Sequence, residues 1–209
     1  GSLRYLVNTR PNIAYAVGIV SRYMESPTTQ HMVAVRHILW YICGTADYGL
    51  RYEKHTDGEP ELMGYSDSDH AGDVDDWKST SGIFFFLGCS PISWASQKQR
   101  IVAQSSCEAE YIAAALAASQ GVWLSRLLAD LQESEPDRWR LVIDNKSAIA
   151  LSKNPVFHER TKHIDLRYHY IRECVENGQV EVEHVSTGEQ VADILTKPLG
   201  RVMFLELRQ

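Results

Sequence analysis

Residues 62–97 read LMGYSDS-DHAGDVDDWKSTS-GIFFFL-GCSP-ISWASQ, and they decide the fold. Upstream of this stretch the apolar residues recur at helical spacing; within it the pattern changes to that of strands. Leu62–Ser68 is expected as a first strand, 82–87 as a second and 92–97 as a third. Gly88-Cys89-Ser90-Pro91 is the turn that makes the last two a hairpin.

Further along, strands alternate with helices. A long Ala- and Leu-rich helix is expected over 106–131, then a short, mostly apolar strand over 140–143 and a brief helix over 146–152. Another helix spans 163–177 and ends at Gly178; a fifth strand covers 180–185, and a last helix over 189–197 is stopped by Pro198. The order βββ-α-β-α-α-β-α implies an α/β class with an α+β mixed sheet, five-stranded and flanked by helices.

Upstream, Pro11 opens a helix that carries Ile13, Val17, Val20 and Met24 at helical spacing. Ser26-Pro27-Thr28-Thr29 breaks it and caps a second helix over 29–42, which Gly44 stops. A short strand is expected around 48–52, and His55-Thr56-Asp57-Gly58-Glu59-Pro60 reads as linker. The chain therefore divides into a helical segment (1–54), a linker (55–61), the sheet-bearing domain (62–199) and a tail (200–209).

Hydrophobic residues at 44% and charged residues at 23% match an ordinary globular protein. No apolar run is expected to reach the roughly 18 residues that cross a bilayer, and the N-terminus has no signal pattern. A place inside the cell is implied. Cys43, Cys89, Cys107 and Cys174 form no CxxC pair, so inert thiols are expected in place of a zinc ribbon or disulfide framework. The net charge of −6 disfavours phosphate binding, but it is unevenly spread. Glu61, Asp67, Asp69, Asp73, Asp75 and Asp76 crowd residues 61–80, whereas Lys153, Arg160, Lys162, Arg167 and Arg172 form a basic strip.

Four acids stand out by position. In the first strand, alternation puts Met63, Tyr65 and Asp67 on one face, so a carboxylate continues an apolar row; a solvated strand end explains it equally well. Glu110 heads a helix face that continues through Ala114, Ala117, Gly121, Leu124 and Leu128, whereas Glu108 points about 200° away. A buried Glu is costly unless paired, although the helix dipole also favours an acid there. Asp144 follows Leu141-Val142-Ile143 at the carboxyl end of a strand, where ligands collect; alternatively Asp144 or Asn145 caps the next helix. Asp193, in the first turn of the last helix, says little alone. As a set, carboxylates gathered in one cleft repel each other and call for divalent metal.

The segments around these acids resemble the ribonuclease H domain of copia-type LTR retrotransposons. They are Gly64-Tyr65-Ser66-Asp67, Lys78-Ser79-Thr80-Ser81-Gly82, Ser105-Ser106-Cys107-Glu108-Ala109-Glu110-Tyr111, Ile143-Asp144-Asn145-Lys146-Ser147-Ala148, Arg160-Thr161-Lys162-His163-Ile164-Asp165 and Gln190-Val191-Ala192-Asp193-Ile194-Leu195-Thr196-Lys197-Pro198. Residues 1–54 resemble the thumb-like end of the reverse transcriptase that precedes such a domain, through Leu3-Arg4-Tyr5-Leu6, Thr9-Arg10-Pro11 and Gly49-Leu50-Arg51-Tyr52.

The resemblance implies a ribonuclease H-like fold that hydrolyses the RNA strand of RNA–DNA hybrids with two Mg²⁺ ions, Mn²⁺ being a substitute. It leaves 3′-hydroxyl and 5′-phosphate ends. Asp67 would bridge both ions, Asp193 would help hold the ion that activates water, and Glu110 and Asp144 would hold the ion at the leaving oxygen. The resemblance also implies the reverse transcriptase of the same polyprotein as partner and a site in the cytoplasm, in a virus-like particle, or in the nucleus. Cellular enzymes of this type carry a His-bearing loop before the last helix; here the link is Ser186-Thr187-Gly188, so no His is nominated.

Choosing the RNA strand needs contacts to the 2′-hydroxyl, for which backbone near Glu110 and the end of the Asp67 strand are candidate donors. Arg160, Lys162, His163 and Arg167 are candidates to grip phosphate, against the alternative of a solvated helix face. Trp94, Trp123 and Trp139 are expected in the core. The competing functional reading is a silent remnant that binds nucleic acid or protein without turnover.

Overall fold

The computed structural model of the chain describes residues 1–54, 60–153 and 166–208. Three helices, α1 (Ser2–Leu6), α2 (Ala14–Arg22) and α3 (Thr29–Gly44), open the chain, with a 3₁₀ turn at Pro11–Ile13 before α2. The strands β1 (Leu62–Ser68), β2 (Thr80–Leu87) and β3 (Ser90–Lys98) follow, then α4 (Ser106–Gln132), β4 (Trp139–Ile143) and α5 (Lys146–Lys153). A 3₁₀ turn at Leu166–His169 leads into α6 (Tyr170–Glu176), then β5 (Val180–His184), 3₁₀ turns at Thr187–Glu189 and Val191–Leu195, and α7 (Arg201–Leu207).

The five strands form one mixed sheet in the order β3-β2-β1-β4-β5. β1, β2 and β3 pair antiparallel, while β4 runs parallel to both β1 and β5. This is the mixed sheet expected from the element order.

Consecutive phenylalanines on β2 show why the sheet needs cover on both sides. Phe85 packs on one face with Leu62, Ile83, Leu141 and the Ala-rich side of α4. Phe84 and Phe86 point the other way, where Ala14 of α2, Ile194, Leu195 and Phe204 meet them. The amino-terminal helices and the carboxy-terminal turns thus form the second layer. Trp94 belongs to this layer and donates from Nε1 to the Val7 carbonyl at 2.9 Å.

By length and composition an 18-residue window of α4 is apolar enough to cross a membrane, contrary to the sequence expectation. Most of that window is buried against the sheet, the position of a core helix. Gly121 allows the close fit, since a Cβ there would lie 2.2 Å from Trp139 Cζ2. Trp139 is fully buried as expected, but Trp123 is exposed. Two residues past Gly121 is about 200° around the helix, which carries Trp123 to the outer side.

Three other expectations change. Residues 48–52 form no strand; their alternating Tyr48, Leu50 and Tyr52 lack a ladder, and Tyr48 instead lies under the Arg208 guanidinium. The helix expected over 189–197 is a pair of 3₁₀ turns, because Gln190 between them is extended, and its side chain accepts from the Ala192 amide. Of the helix expected over 163–177, the described part begins as a 3₁₀ turn at Leu166. The four cysteines are free, Cys174 buried and Cys43 and Cys89 exposed.

Candidate active site

Strand register brings the first two acids together. In the parallel pairing Gly64 faces Leu141 and Tyr65 faces Val142, so two residues further along Asp67 and Asp144 lie side by side at the carboxyl ends of β1 and β4. Adjacent strands are about 4.8 Å apart. Helix α4 begins beside the same strand end, and the Ser68 amide donates to Glu110 Oε1 at 3.3 Å. One carboxylate oxygen from each of Asp67, Glu110 and Asp144 lies within 4.8 Å of the others.

The ambiguity between Asp144 and Asn145 resolves in space. Asn145 Oδ1 accepts from the amides of Ser147 and Ala148, both at 3.0 Å, and so caps α5. Asp144 is left to face the cluster, with Oδ2 taking a 3.2 Å hydrogen bond from Thr187 Oγ1. The β5–Val191 link that lacks a histidine therefore contributes a hydroxyl. Glu108 points elsewhere and closes the preceding loop by accepting from the Gln104 amide at 2.8 Å.

Asp193 reaches Asp67 from the opposite layer. Gln190, fully buried, donates from Nε2 to the Ser66 carbonyl at 3.0 Å and fastens the Val191–Leu195 turn onto β1. Gly82, directly across from Asp67 on β2, makes the room: a Cβ there would sit 2.7 Å from Thr196 Cγ2 and 2.9 Å from the Ala192 carbonyl oxygen. The Thr196 hydroxyl donates to Asp67 Oδ2. Lys197 Nζ lies 2.9 Å from Asp193 Oδ1 and 3.4 Å from Asp67 Oδ2. On the other side Gln99, also buried, donates from Nε2 to Ser68 Oγ, Ser81 Oγ and the Ala109 carbonyl, at 3.1, 2.9 and 3.0 Å. It locks the start of α4 against β1 and β2.

Electrostatically this is a strained gathering of like charge. Burial first, and then the charges of Asp67 and Asp144, push the Glu110 carboxyl far above the ordinary carboxylate range. Asp193 is raised too, by burial and by Asp67, with Lys197 pulling against the shift. Burial would lower the Lys197 ammonium, but the charges of Asp67, Asp193 and Asp144 outweigh it and hold the proton more firmly. Among the described residues Lys197 pairs directly with Asp67 and Asp193 and also feels the charge of Asp144. Asp67 Oδ1 and Glu110 Oε2 are buried with no hydrogen-bond partner among the described residues, although buried acceptors are normally satisfied. Clustered oxygens with open lone pairs and surplus negative charge are a donor set that fits hard divalent cations.

Sequence reasoning gave no role to Thr196, Lys197, Gln190 or Gln99, although the first three lie inside a quoted segment. Nothing in their spacing announces contacts to β1, which arise only when the layers close. Among the candidate phosphate contacts, Arg160, Lys162 and His163 lie outside the described residues. Arg167 is exposed, with its guanidinium 4.7 Å above the Tyr168 ring. The backbone donors expected at the end of β1 are taken: the Ser68 amide by Glu110, and the Asp69 amide by the Thr80 carbonyl at 3.2 Å.

No protein-family model matches the chain. Among curated relatives, the Retrovirus-related Pol polyprotein from transposon RE2 of Arabidopsis thaliana is 48% identical over 206 residues, 98% of this chain and 14% of the polyprotein. That from transposon TNT 1-94 of Nicotiana tabacum is 46% identical over 205 residues, 98% of this chain and 15% of the polyprotein. Similar solved structures include the N-terminal RNase H domain of a Mycobacterium tuberculosis protein, at 12% identity and a TM-score of 0.46, covering 66% of this chain and 91% of that one. An RNase H1 isolated from compost gives 16% identity and a TM-score of 0.45, covering 66% and 93%. The polyprotein relatives carry the comparison: along 98% of its length, and over about 14–15% of theirs, the chain is homologous to the Pol polyproteins of copia-type retrotransposons.

Proposed function

We propose that this segment hydrolyses the RNA strand of RNA–DNA hybrids by a two-metal mechanism, with Mg²⁺ as the ion and Mn²⁺ as a substitute. Residues 62–199 would carry the nuclease, and residues 1–54 would be the end of the reverse transcriptase that precedes it and supplies the hybrid. One observation carries this reading: Asp67, Glu110 and Asp144 converge within 4.8 Å, with partnerless buried oxygens on Asp67 and Glu110.

Two divalent ions held by these carboxylates would supply charge neutralisation at the scissile phosphate and a lowered pKa for the attacking water. Asp67, at the centre of the cluster, would contact both; Asp193 would share one, and Glu110 and Asp144 the other. Thr196, Thr187 and the Ser68 amide hold Asp67, Asp144 and Glu110 in their orientations, so the ligands are fixed before substrate arrives. The exposed Arg167 would meet a substrate phosphate, together with Arg160, Lys162 and His163.

The test is cleavage of a hybrid labelled on its RNA strand, with Mg²⁺ present and absent. The expected result is Mg²⁺-dependent cutting that leaves 5′-phosphate ends and falls about a hundredfold or more in Asp67→Asn and in Asp144→Asn. Losing even a support behind a metal ligand costs 10–100-fold. Undiminished cutting in those variants would sink the assignment. Hybrid binding without turnover would favour a silent remnant, and cutting of duplex DNA would favour another nuclease on this fold.

A further inference from the structure

The carboxylate cluster has two unlike sides. On one side Asp67, Glu110 and Asp144 offer oxygens within 4.8 Å, two of the three residues having a buried oxygen without a partner. On the other side, between Asp67 and Asp193, a cation already sits: Lys197 Nζ is 3.4 Å from Asp67 Oδ2 and 2.9 Å from Asp193 Oδ1. The Thr196 hydroxyl donates to that same Asp67 oxygen. The ammonium is in ion-pair contact with both carboxylates and takes up the space between them, although Asp193 Oδ1, like Asp67 Oδ1 and Glu110 Oε2, has no hydrogen-bond partner among the described residues.

The two sides also differ in freedom. The Asp67 and Asp193 side chains are 1% and 4% exposed and are set by β1 and by the Val191–Leu195 turn. The Lys197 side chain is 34% exposed, so its four-carbon stem has a route to solvent. The lysine side chain has a way out to solvent, whereas the two carboxylates are enclosed.

Resting on the metal-dependent reading above, we propose that Lys197 gates the loading of the second ion. The Asp67–Glu110–Asp144 side takes a divalent ion as it is folded. The Asp67–Asp193 side takes one only after Lys197 Nζ has swung out. A substrate phosphate, the strongest anion to enter the cleft, is the group that can draw the ammonium away, so the second ion enters with substrate. Lys197 is a positioning residue here: it acts by standing in for the second ion and being displaced.

The experiment counts bound Mn²⁺ by electron paramagnetic resonance on the whole chain without nucleic acid, where rate plays no part. Wild type should bind one ion, with the second weaker by roughly tenfold or more. In Lys197→Met the second ion should tighten roughly tenfold and the first much less, whereas Lys197→Arg, which keeps the charge, should resemble wild type. Asp193→Asn should lose the second ion and keep the first; Asp144→Asn should weaken the first. Circular dichroism confirms that each variant is folded. A Lys197→Met isotherm that superimposes on wild type, or one in which both ions shift equally, overturns the gate and leaves the metal-dependent reading standing. No Mn²⁺ binding that Asp67→Asn abolishes would overturn that reading, and the gate with it.

Discussion

Replacing Gly82 with alanine should uncouple stability from catalysis in a way that a second glycine controls. A Cβ at Gly82 would lie 2.7 Å from Thr196 Cγ2, 2.9 Å from the Ala192 carbonyl oxygen and 2.9 Å from Leu195 Cβ, whereas ordinary contact begins at 3.4 Å. The turn carrying Asp193, Thr196 and Lys197 must therefore lift by about 0.5–0.7 Å from β2, directly opposite Asp67. Overpacking of this size costs about 1–3 kcal/mol of stability. Misplacing a reacting group by about 1 Å costs roughly a hundredfold in rate, so a fall in kcat of about 10–100-fold is expected. Gly121→Ala is the control. Its Cβ would fall 2.2–2.5 Å from three ring atoms of the fully buried Trp139, at least as severe a clash but against the helix–sheet core. It should lose about 3 kcal/mol or more while its folded fraction cleaves at nearly the wild-type rate, and Trp139→Phe in the same chain should restore part of that loss. Urea denaturation gives the stabilities; single-turnover cleavage of the labelled hybrid, at a temperature where both variants are folded, gives the rates. Wild-type cleavage by Gly82→Ala, or equal losses of activity in the two variants, would refute the coupling between residue 82 and the Asp193 turn.

Other consequences can be measured independently. Burial would raise the Asp73 carboxyl, but Lys98, the Asp75 amide and Arg22 bring it from 3.8 down to about 2. A folded value below the unfolded one means stability that is complete above about pH 4 and lost as pH falls towards 2, worth about 2 kcal/mol. Urea titrations between about pH 2 and 5 should show this slope in wild type and a shallower one in Asp73→Asn. Gln99→Leu removes a buried amide that serves three acceptors, and should cost about 2–4 kcal/mol with faster amide exchange at the start of α4. Wild-type exchange rates there would show that the amide does not lock the helix. Asn145→Ala should cost about 1 kcal/mol as a lost cap, while Mn²⁺ affinity changes little, because Asp144 and not Asn145 faces the cluster. A large fall in affinity would contradict that division.

How far the site could be read from sequence depends on whether local periodicity or layer closure places each residue. Glu110 was separable from Glu108 because 200° of helix decides which side each faces, and the structure sends Glu108 to the Gln104 amide. The same angle sets Trp123, two residues past Gly121, on the exposed side of α4. Asp67 and Asp144 are joined by parallel register, which the order of elements implies once the sheet is mixed. Asp144 and Asn145 could not be told apart in the chain, since either side chain can cap a helix; their division of labour appears only with the α5 amides in place. The turn around Asp193 was the least legible. Its pattern matches a helix, but Gln190 is extended, satisfies the Ala192 amide and reaches the Ser66 carbonyl 124 positions away. No local propensity encodes such a contact.

That difference bears on which half of the cluster is vulnerable. Asp67, Glu110 and Asp144 are set by the sheet and α4, whose facing side chains form the largest buried apolar cluster among the described residues. Asp193 and Lys197 are set by a short 3₁₀ turn that Gln190 ties to β1 and that fits only because residue 82 has no side chain. Local opening free energies are lowest where buried contacts are few, so the Asp193 side should loosen first under mild denaturant. Mn²⁺ counted at rising sub-denaturing urea should then show the weaker ion lost before the tighter one. Simultaneous loss of both would mean that the turn is no softer than the sheet it rests on.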